Sequence, residues 1–366
     1  MNKITQLCLF VLVLCTSFTL KAQELNDTIS PPQQKPLPAY DTNYYRKYPD
    51  RLIVAWYQSV NHYDIAMNQL MTRADSGRAK IDYIADANEV TGLEFNYDIL
   101  AVSFGFKSTP PIGSTQKGKT TYRTFDLSLG DNRWLLETSY RNYRGFYDKN
   151  TGVYDTSYKR TGVYFQNPGM YNVCYKAKFL YFFNHEHFSY QSGYSCNYRQ
   201  RKSSFSWVFV SNLFHNKMGT DSSFAPGLLQ KYFGSYHDLN GLNVTGISGG
   251  LGGSLNFVLF HSLFLNLTLL GGLEPQWRNY HHFDGDFAKR AYVTVSGDFR
   301  ASLGFNGKNF FMLLSSLNDV SYINSGQLEV KNKYVSGSFT LGYRFKTKTP
   351  GFYKRFQNTR LYKFLG

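Results

Sequence analysis

Few residues in this sequence are of a type and spacing that could do chemistry, and none of them forms a convincing catalytic set. "YHHFDGDF" (280–287) brings His281, His282, Asp284 and Asp286 around Gly285. Alternating oxygen donors about a glycine can wrap a hard cation, but two carboxylates supply too few oxygens, so the segment reads better as a polar loop tip. "NHEHFS" (184–189) places His185 and His187 two apart, which on a strand puts both on one face, as metal ligands can be. No third ligand lies near them, and a polar turn is expected instead. His261-Ser262 is the only adjacent serine–histidine pair. Neighbours on a strand point to opposite faces, so this pair alone cannot make a nucleophile–base hydrogen bond. No catalytic residue, metal ligand or cofactor site is therefore assigned. The expected class is a non-enzymatic protein with a structural, transport or envelope-interaction role. A lipid-modifying hydrolase, built from a distant serine and histidine, stays as the alternative.

A second set of residues is charged where a strand should be shielded. In "VSGSFTLGYRF" (335–345), Val335, Phe339, Leu341, Tyr343 and Phe345 share one parity. Ser336, Ser338, Thr340, Gly342 and Arg344 share the other. The same alternation runs through 121–130, 133–142, 188–199 and 298–305, with further candidate strands at 52–60, 90–97, 99–107, 170–183, 203–216, 244–258, 262–274 and 308–319. The polar parity collects Asp126, Arg133, Glu137, Arg141, Lys176, Lys178, Arg199, Asp298, Arg300 and Arg344 as candidate lumen-lining charges. In a narrow barrel these must pair with one another, because an isolated buried charge is very costly. In a wide one they would line water and favour anions. Both readings remain open at this point.

Apolar-out, polar-in segments of about ten residues are what a tilted membrane strand requires. The expected fold is all-β, an antiparallel transmembrane barrel of the outer-membrane type with 12–14 strands. The larger number needs 52–60 as a strand and another hidden in 217–243. A soluble periplasmic β-sandwich binding protein is the third reading, and it would have to hide about twelve aromatic-rich faces in one core. Tyrosine alone accounts for 30 residues and aromatics for 18% of the chain, which suits interfacial girdles better than one soluble core. The uncharged run "LNFVLFHSLFLNLTLLGGL" (255–273) is long enough for a membrane helix. Glycines 246, 249, 250, 252, 253, 271 and 272 crowd its ends, and His261-Ser262 interrupts it where a hairpin would turn, so two strands are expected.

Residues 1–22 read as a signal peptide, with Lys3, an apolar run at 7–20 and Ala22 before the cleavage point. Residues 23–50, which hold Pro31, Pro32, Pro36, Pro38 and Pro49, read as a periplasmic leader; 51–345 as the barrel; and 346–366 as a basic, aromatic C-terminal extension. That extension carries Lys346, Lys348, Lys354, Arg355, Arg360 and Lys363, and its Phe352, Phe356, Leu361 and Phe364 form a loose stripe suited to an anionic lipid surface. The formal charge of +15 in an exported chain points to outer-membrane lipid and lipopolysaccharide as partners, and away from nucleic acid. Cys174 and Cys196, the cysteines left after cleavage, fall on opposite parities of neighbouring candidate strands, which disfavours a disulfide unless a bulge intervenes.

"YDTNYYRKYPDRLIVAWYQS" (40–59), "YFFNHEHFSYQSGYSCNYRQRKSS" (181–204) and "LGGSLNFVLFHSLFLNLTLLGGL" (251–273) resemble the Bacteroidota family known as domain-of-unknown-function family 4421. The resemblance spans roughly 40–345. It implies an exported outer-membrane barrel and brings no activity, ligand or catalytic residue with it.

Overall fold

The computed structural model describes residues 40–69, 80–85, 89–108, 114–283, 285–324, 328–360 and 362. The expected signal peptide and most of the leader lie outside these residues. The strands in chain order are β1 Tyr45–Lys47, β2 Arg51–Gln69, β3 Lys80–Ala85, β4 Glu89–Tyr97, β5 Leu100–Lys107, β6 Thr121–Gly130, β7 Trp134–Asp148 and β8 Phe165–Phe182. They continue with β9 Tyr198–Gln200, β10 Ser204–Gly219, β11 Leu239–Leu259, β12 Leu263–His282, β13 Gly285–Asn306, β14 Phe310–Asn324 and β15 Leu328–Lys346.

Strands β2, β4 to β8 and β10 to β15 form an antiparallel ring of twelve, closed where β15 pairs with β2 from Leu328↔Gln69 to Lys346↔Arg51. The alternation explains why the sheet closes on a polar interior. Along β12, Leu265, Leu267, Leu269 and Leu273 are exposed, while Asn266, Thr268, Glu274 and Gln276 are buried. Leu251 and Leu269, neighbours of opposite rows, are 62% and 64% exposed, and Asn256 and Asn266 on the other face are both at 0%. A soluble sandwich would show the reverse, so this is the polarity of a barrel that meets lipid. The run 255–273 is the β11–β12 hairpin, which turns through Phe260 and His261 at φ 49° and 58°. Two consecutive left-handed residues give the tight turn whose twist matches the flanking strands.

Segment 188–199 is not a wall strand, and 217–243 hides none; 220–238 is a connection with two short 3-10 turns. Most of the described residues in 275–289 and 320–332, beyond the candidate strands 262–274 and 308–319, are also strand, because β12 to β15 continue past the ends those candidates gave them.

The ring changes size along its axis. Strand β2 pairs with β4 over Leu52–Val60 and then with β3 over Tyr63–Asn68. Beyond the ends of β5 and β6, β3 pairs with Tyr147 and Asp148 of β7. Twelve strands at the end where β2 begins and β15 finishes, the terminal end of the barrel, thus become ten at the opposite end. A bulge between Arg144 and Phe146 bends β7 toward β3. Gly145 sits there at φ 86°, where a Cβ would lie 2.1 Å from the Lys119 carbonyl oxygen.

Two connections fold inward rather than across the surface. At the terminal end, residues 183–203 enter the lumen with the helical turn Gln191–Tyr194 and β9. At the other end, 220–238 buries Phe224, Leu229, Phe233 and Tyr236 among lumen-facing Ile65, Met67, Tyr83, Met170, Leu242 and Val330. The described part of the leader does not run free. Its β1 pairs with β9, Tyr45 opposite Gln200. The C-terminal helix Gly351–Gln357 docks on the β4–β5 turn. There Asp98 accepts hydrogen bonds from Tyr353 at 3.2 Å, Gln357 at 3.4 Å and Tyr362, and meets Lys47 at 3.2 Å. Burial, and then the Asp98 carboxylate, push the Tyr362 hydroxyl up to about 12.

Candidate functional site

Between the two inward folds the lumen is polar. Its lower layer is a charge network that crosses the barrel. Arg300 on β13 holds Glu137 on β7 through two parallel bonds, at 3.0 and 2.9 Å, and reaches Asp298 at 3.2 Å. Lys178 on β8 binds Asp298, Lys176 binds Asp319 on β14, and the Arg300 guanidinium also donates to the Tyr190 hydroxyl. These pairs join β7 and β8 to β13 and β14, with β10 to β12 between them in the ring. Each charge is taken from bulk water, and each is compensated by geometry, which is the condition for burying it at tolerable cost.

The terminal-end insertion is fixed by the same kind of contacts. Arg344, 1% exposed, donates to the Cys196 carbonyl at 3.0 and 2.7 Å and to the Gly307 carbonyl at 2.7 Å, and also binds Asn306. Asn256 donates to the Ser189 carbonyl at 2.7 Å, Ser302 to that of Gly193 at 2.6 Å, and Asn306 to that of Ser192 at 2.9 Å. Gly193 is required here, since a Cβ would stand 2.9 Å from Asn266.

Above the network, Arg141 lies over the Tyr334 ring at 4.0 Å. Tyr143 stacks between Tyr63 and Tyr122, at centroid distances of 4.5 and 4.4 Å. Glu94 accepts from Asn96 at 2.6 Å and Asp126 from Thr124 at 3.1 Å; neither has an ion-pair partner among the described residues.

Of the ten charges expected on the lumen face, eight are inside: Asp126, Glu137, Arg141, Lys176, Lys178, Asp298, Arg300 and Arg344. Two are not. Arg133 belongs to the β6–β7 turn, where Asp131 receives its backbone N–H, and its side chain lies over Tyr181 at 5.8 Å. Arg199 sits on β9 of the insertion and binds the His261 carbonyl at 3.0 Å and the Ser262 hydroxyl at 2.7 Å. Arg133 shares the parity of Glu137 and Arg141 but precedes the first residue of β7, and Arg199 lies on an inserted segment, so parity fixes no lumen face at either place. Glu94, Glu274, Arg278, Asp319 and the tyrosine platform belong to the lumen and escaped the sequence reading. Asp319 closes the candidate strand 308–319, and one step back along the polar parity of 335–345 reaches Tyr334.

His185 and His187 lie in the first turn of the insertion, with the His187 ring edge-on to Tyr44 at 4.5 Å. His281 and His282 contact Asn243 and Asp238 at 2.9 and 2.6 Å; Asp284 and the Asp286 side chain lie outside the described residues. His261 and Ser262 are engaged by Arg201 and Arg199 rather than by each other. Cys174 faces the lumen and Cys196 the interior of the insertion, and both are free thiols.

The family model for a domain of unknown function, DUF4421, matches residues 39–345. The chain belongs to the DUF4421 family. No curated protein matches it. Among solved structures, this DUF4421 barrel is similar to the outer membrane protease OmpT from Escherichia coli, at 7% identity, 82% of this chain, 98% of that chain and a TM-score of 0.40. The COG4313 outer membrane channel from Pseudomonas putida F1 aligns at 11% identity, over 83% of this chain and 99% of its own, with a TM-score of 0.32. Ail, the attachment invasion locus protein of Yersinia pestis, aligns at 14% identity, over 59% and 99%, with a TM-score of 0.24.

Proposed function

We propose that this DUF4421 member is a non-enzymatic outer-membrane barrel that passes or holds a small hydrophilic solute by gating, not through a standing pore. The observation that carries the reading is a polar, charge-lined lumen between two inward-folded connections, 183–203 and 220–238. A paired charge network alone suits a closed barrel equally well, but Glu94, Asp126 and Arg141, which have no ion-pair partner among the described residues, leave polar space that suits a solute in transit. In this reading residues 1–22 direct export from a Bacteroidota cytoplasm, both termini face the periplasm, and the apolar belt meets outer-membrane lipid. The basic residues of the terminal end, Arg51, Lys346, Lys348, Lys354 and Arg355 among them, sit at the level of anionic headgroups. Lipopolysaccharide would meet the opposite rim.

The test is conductance of the purified full-length protein in planar bilayers, with folding verified by heat-modifiable migration. The wild type should be closed most of the time. Replacing Arg344, Asn306 and Asn256 by alanine should produce frequent opening. A steady, ohmic wild-type conductance unaffected by those changes would show a standing pore and overturn the proposal.

A further inference from the structure

The upper part of the chamber holds buried polar atoms that the protein itself leaves without partners. Asn172, 1% exposed, donates through its Nδ2 to Asn216 at 2.8 Å, but its Oδ1 accepts from none of the described residues. The Tyr143 hydroxyl, also on a side chain 1% exposed, and the Asn332 Oδ1 are unpartnered too. Arg141 has its guanidinium face on Tyr334, and no acceptor among the described residues takes any of its five N–H groups. All four residues line one cavity. Native proteins rarely leave so many buried groups unmatched in one place unless water or a ligand completes them.

We infer that Arg141, Tyr143, Asn172 and Asn332 form an occluded binding site for a small monocarboxylate that carries hydrogen-bond donors at its other end. A planar guanidinium with a free edge matches a carboxylate bidentately. The two amide oxygens accept only, so the ligand must bring hydroxyl or ammonium hydrogens to them. The Tyr143 hydroxyl can donate to the ligand or accept from it. Charge sets the limit at one. Lys176 is already neutralised by Asp319, so Arg141 is the one unpaired cation of this cavity among the described residues, and Glu274 here with Asp126 and Glu94 in the adjoining space carry the opposite sign, so a dianion such as phosphate would be repelled. Hydroxy acids and amino acids share this chemistry.

The inference names the solute class of the gated barrel proposed above, and its test does not need the gate. Full-length protein is refolded into detergent in the presence of isotope-labelled probe, desalted, and assayed for retained label, so the probe is enclosed as the barrel closes. D-gluconate and L-serine represent the two donor types. Propionate offers a carboxylate without donors, and glucose donors without a carboxylate. Retention of gluconate or serine, at least ten-fold above propionate and glucose, is expected. The preferred one of the two identifies the donor. Arg141→Gln should lower retention at least ten-fold, and Tyr143→Phe, which removes one oxygen, several-fold, with heat-modifiable migration intact. If folded wild-type protein retains neither probe, or if Arg141→Gln retains as much as wild type, the site holds only water and the inference is wrong. A barrel that retains the probe but never conducts would keep this site and discard the gating.

Discussion

Arg344→Ala should loosen the terminal-end insertion without unfolding the barrel. Two of its N–H groups converge on the Cys196 carbonyl, at 3.0 and 2.7 Å, inside a site where Arg344 is 1% exposed and Cys196 is at 0%. A hydrogen bond from a charged donor contributes about 1.5–3 kcal/mol, and the orphaned carbonyl adds a penalty of about 1–3 kcal/mol. Water entering the vacated space offsets part of this, so about 3 kcal/mol is expected for closure of the insertion, roughly a hundred-fold in its opening equilibrium. Cys196 reports that equilibrium directly. Burial pushes its thiol up to about 12, and only the thiolate of an opened segment reacts with a maleimide. In a Cys174→Ser background, Arg344→Ala should therefore speed labelling about a hundred-fold. Because the closed thiol binds its proton more tightly than the open one, closure is strongest below about 8.5, the ordinary thiol value, and weakens as pH rises from there. Unchanged labelling in a variant with normal heat-modifiable migration would refute the claim that Arg344 holds the insertion.

Glu137→Gln should cost about 3 kcal/mol in urea unfolding, since it strips the paired contacts from Arg300, and adding Arg300→Met should recover most of the loss; equal destabilisation in the single and double variants would remove the pair from the account. Leu269→Arg, which puts a charge on the lipid face at a residue 64% exposed, should cost about 2–4 kcal/mol when folding into vesicles is titrated with urea. Truncation after Lys348 removes three of the donors that reach Asp98 and leaves Lys47; heat-modifiable migration should persist, and its loss would make 349–366 part of the wall.

Sequence patterning carried the wall well and the insertion badly, for one physical reason. Period-two alternation reports that one face of a segment is apolar, and not whether lipid or protein lies against it. Leu265, Leu267 and Leu269 meet lipid. Phe188, Tyr190 and Tyr198 alternate just as cleanly, yet they are buried in the lumen at 0%, 1% and 2% exposure. One mark of difference was present: Gly193 in the middle of the segment. The lower charge network was legible because Glu137, Asp298 and Arg300 sit in the best-alternating segments, 133–142 and 298–305, and Lys178 in the candidate strand 170–183. Arg141 was legible as a lumen charge, but its lack of an acceptor depends on where Tyr334, Asn172 and Asn332 come to rest, which is long-range information. The outer hydrophobic fill escaped because Phe224, Leu229, Phe233 and Tyr236 have no period at all.

In most barrels one strand number sets one girth. Here girth depends on height, because β5 and β6 stop and β3 takes the place beside β7. Diameter grows roughly in proportion to strand number, so the end away from the start of β2 is narrower by about one part in six. The body is a tapered sleeve, and its two stoppers are therefore not equivalent. An apolar wad in the narrow mouth has walls converging on it, whereas the hydrogen-bonded segment in the wide mouth can back out along a widening path. A solute held in the chamber would meet the widening path at the end where β2 begins and β15 finishes, and that direction is written into the count of strands rather than into any moving part.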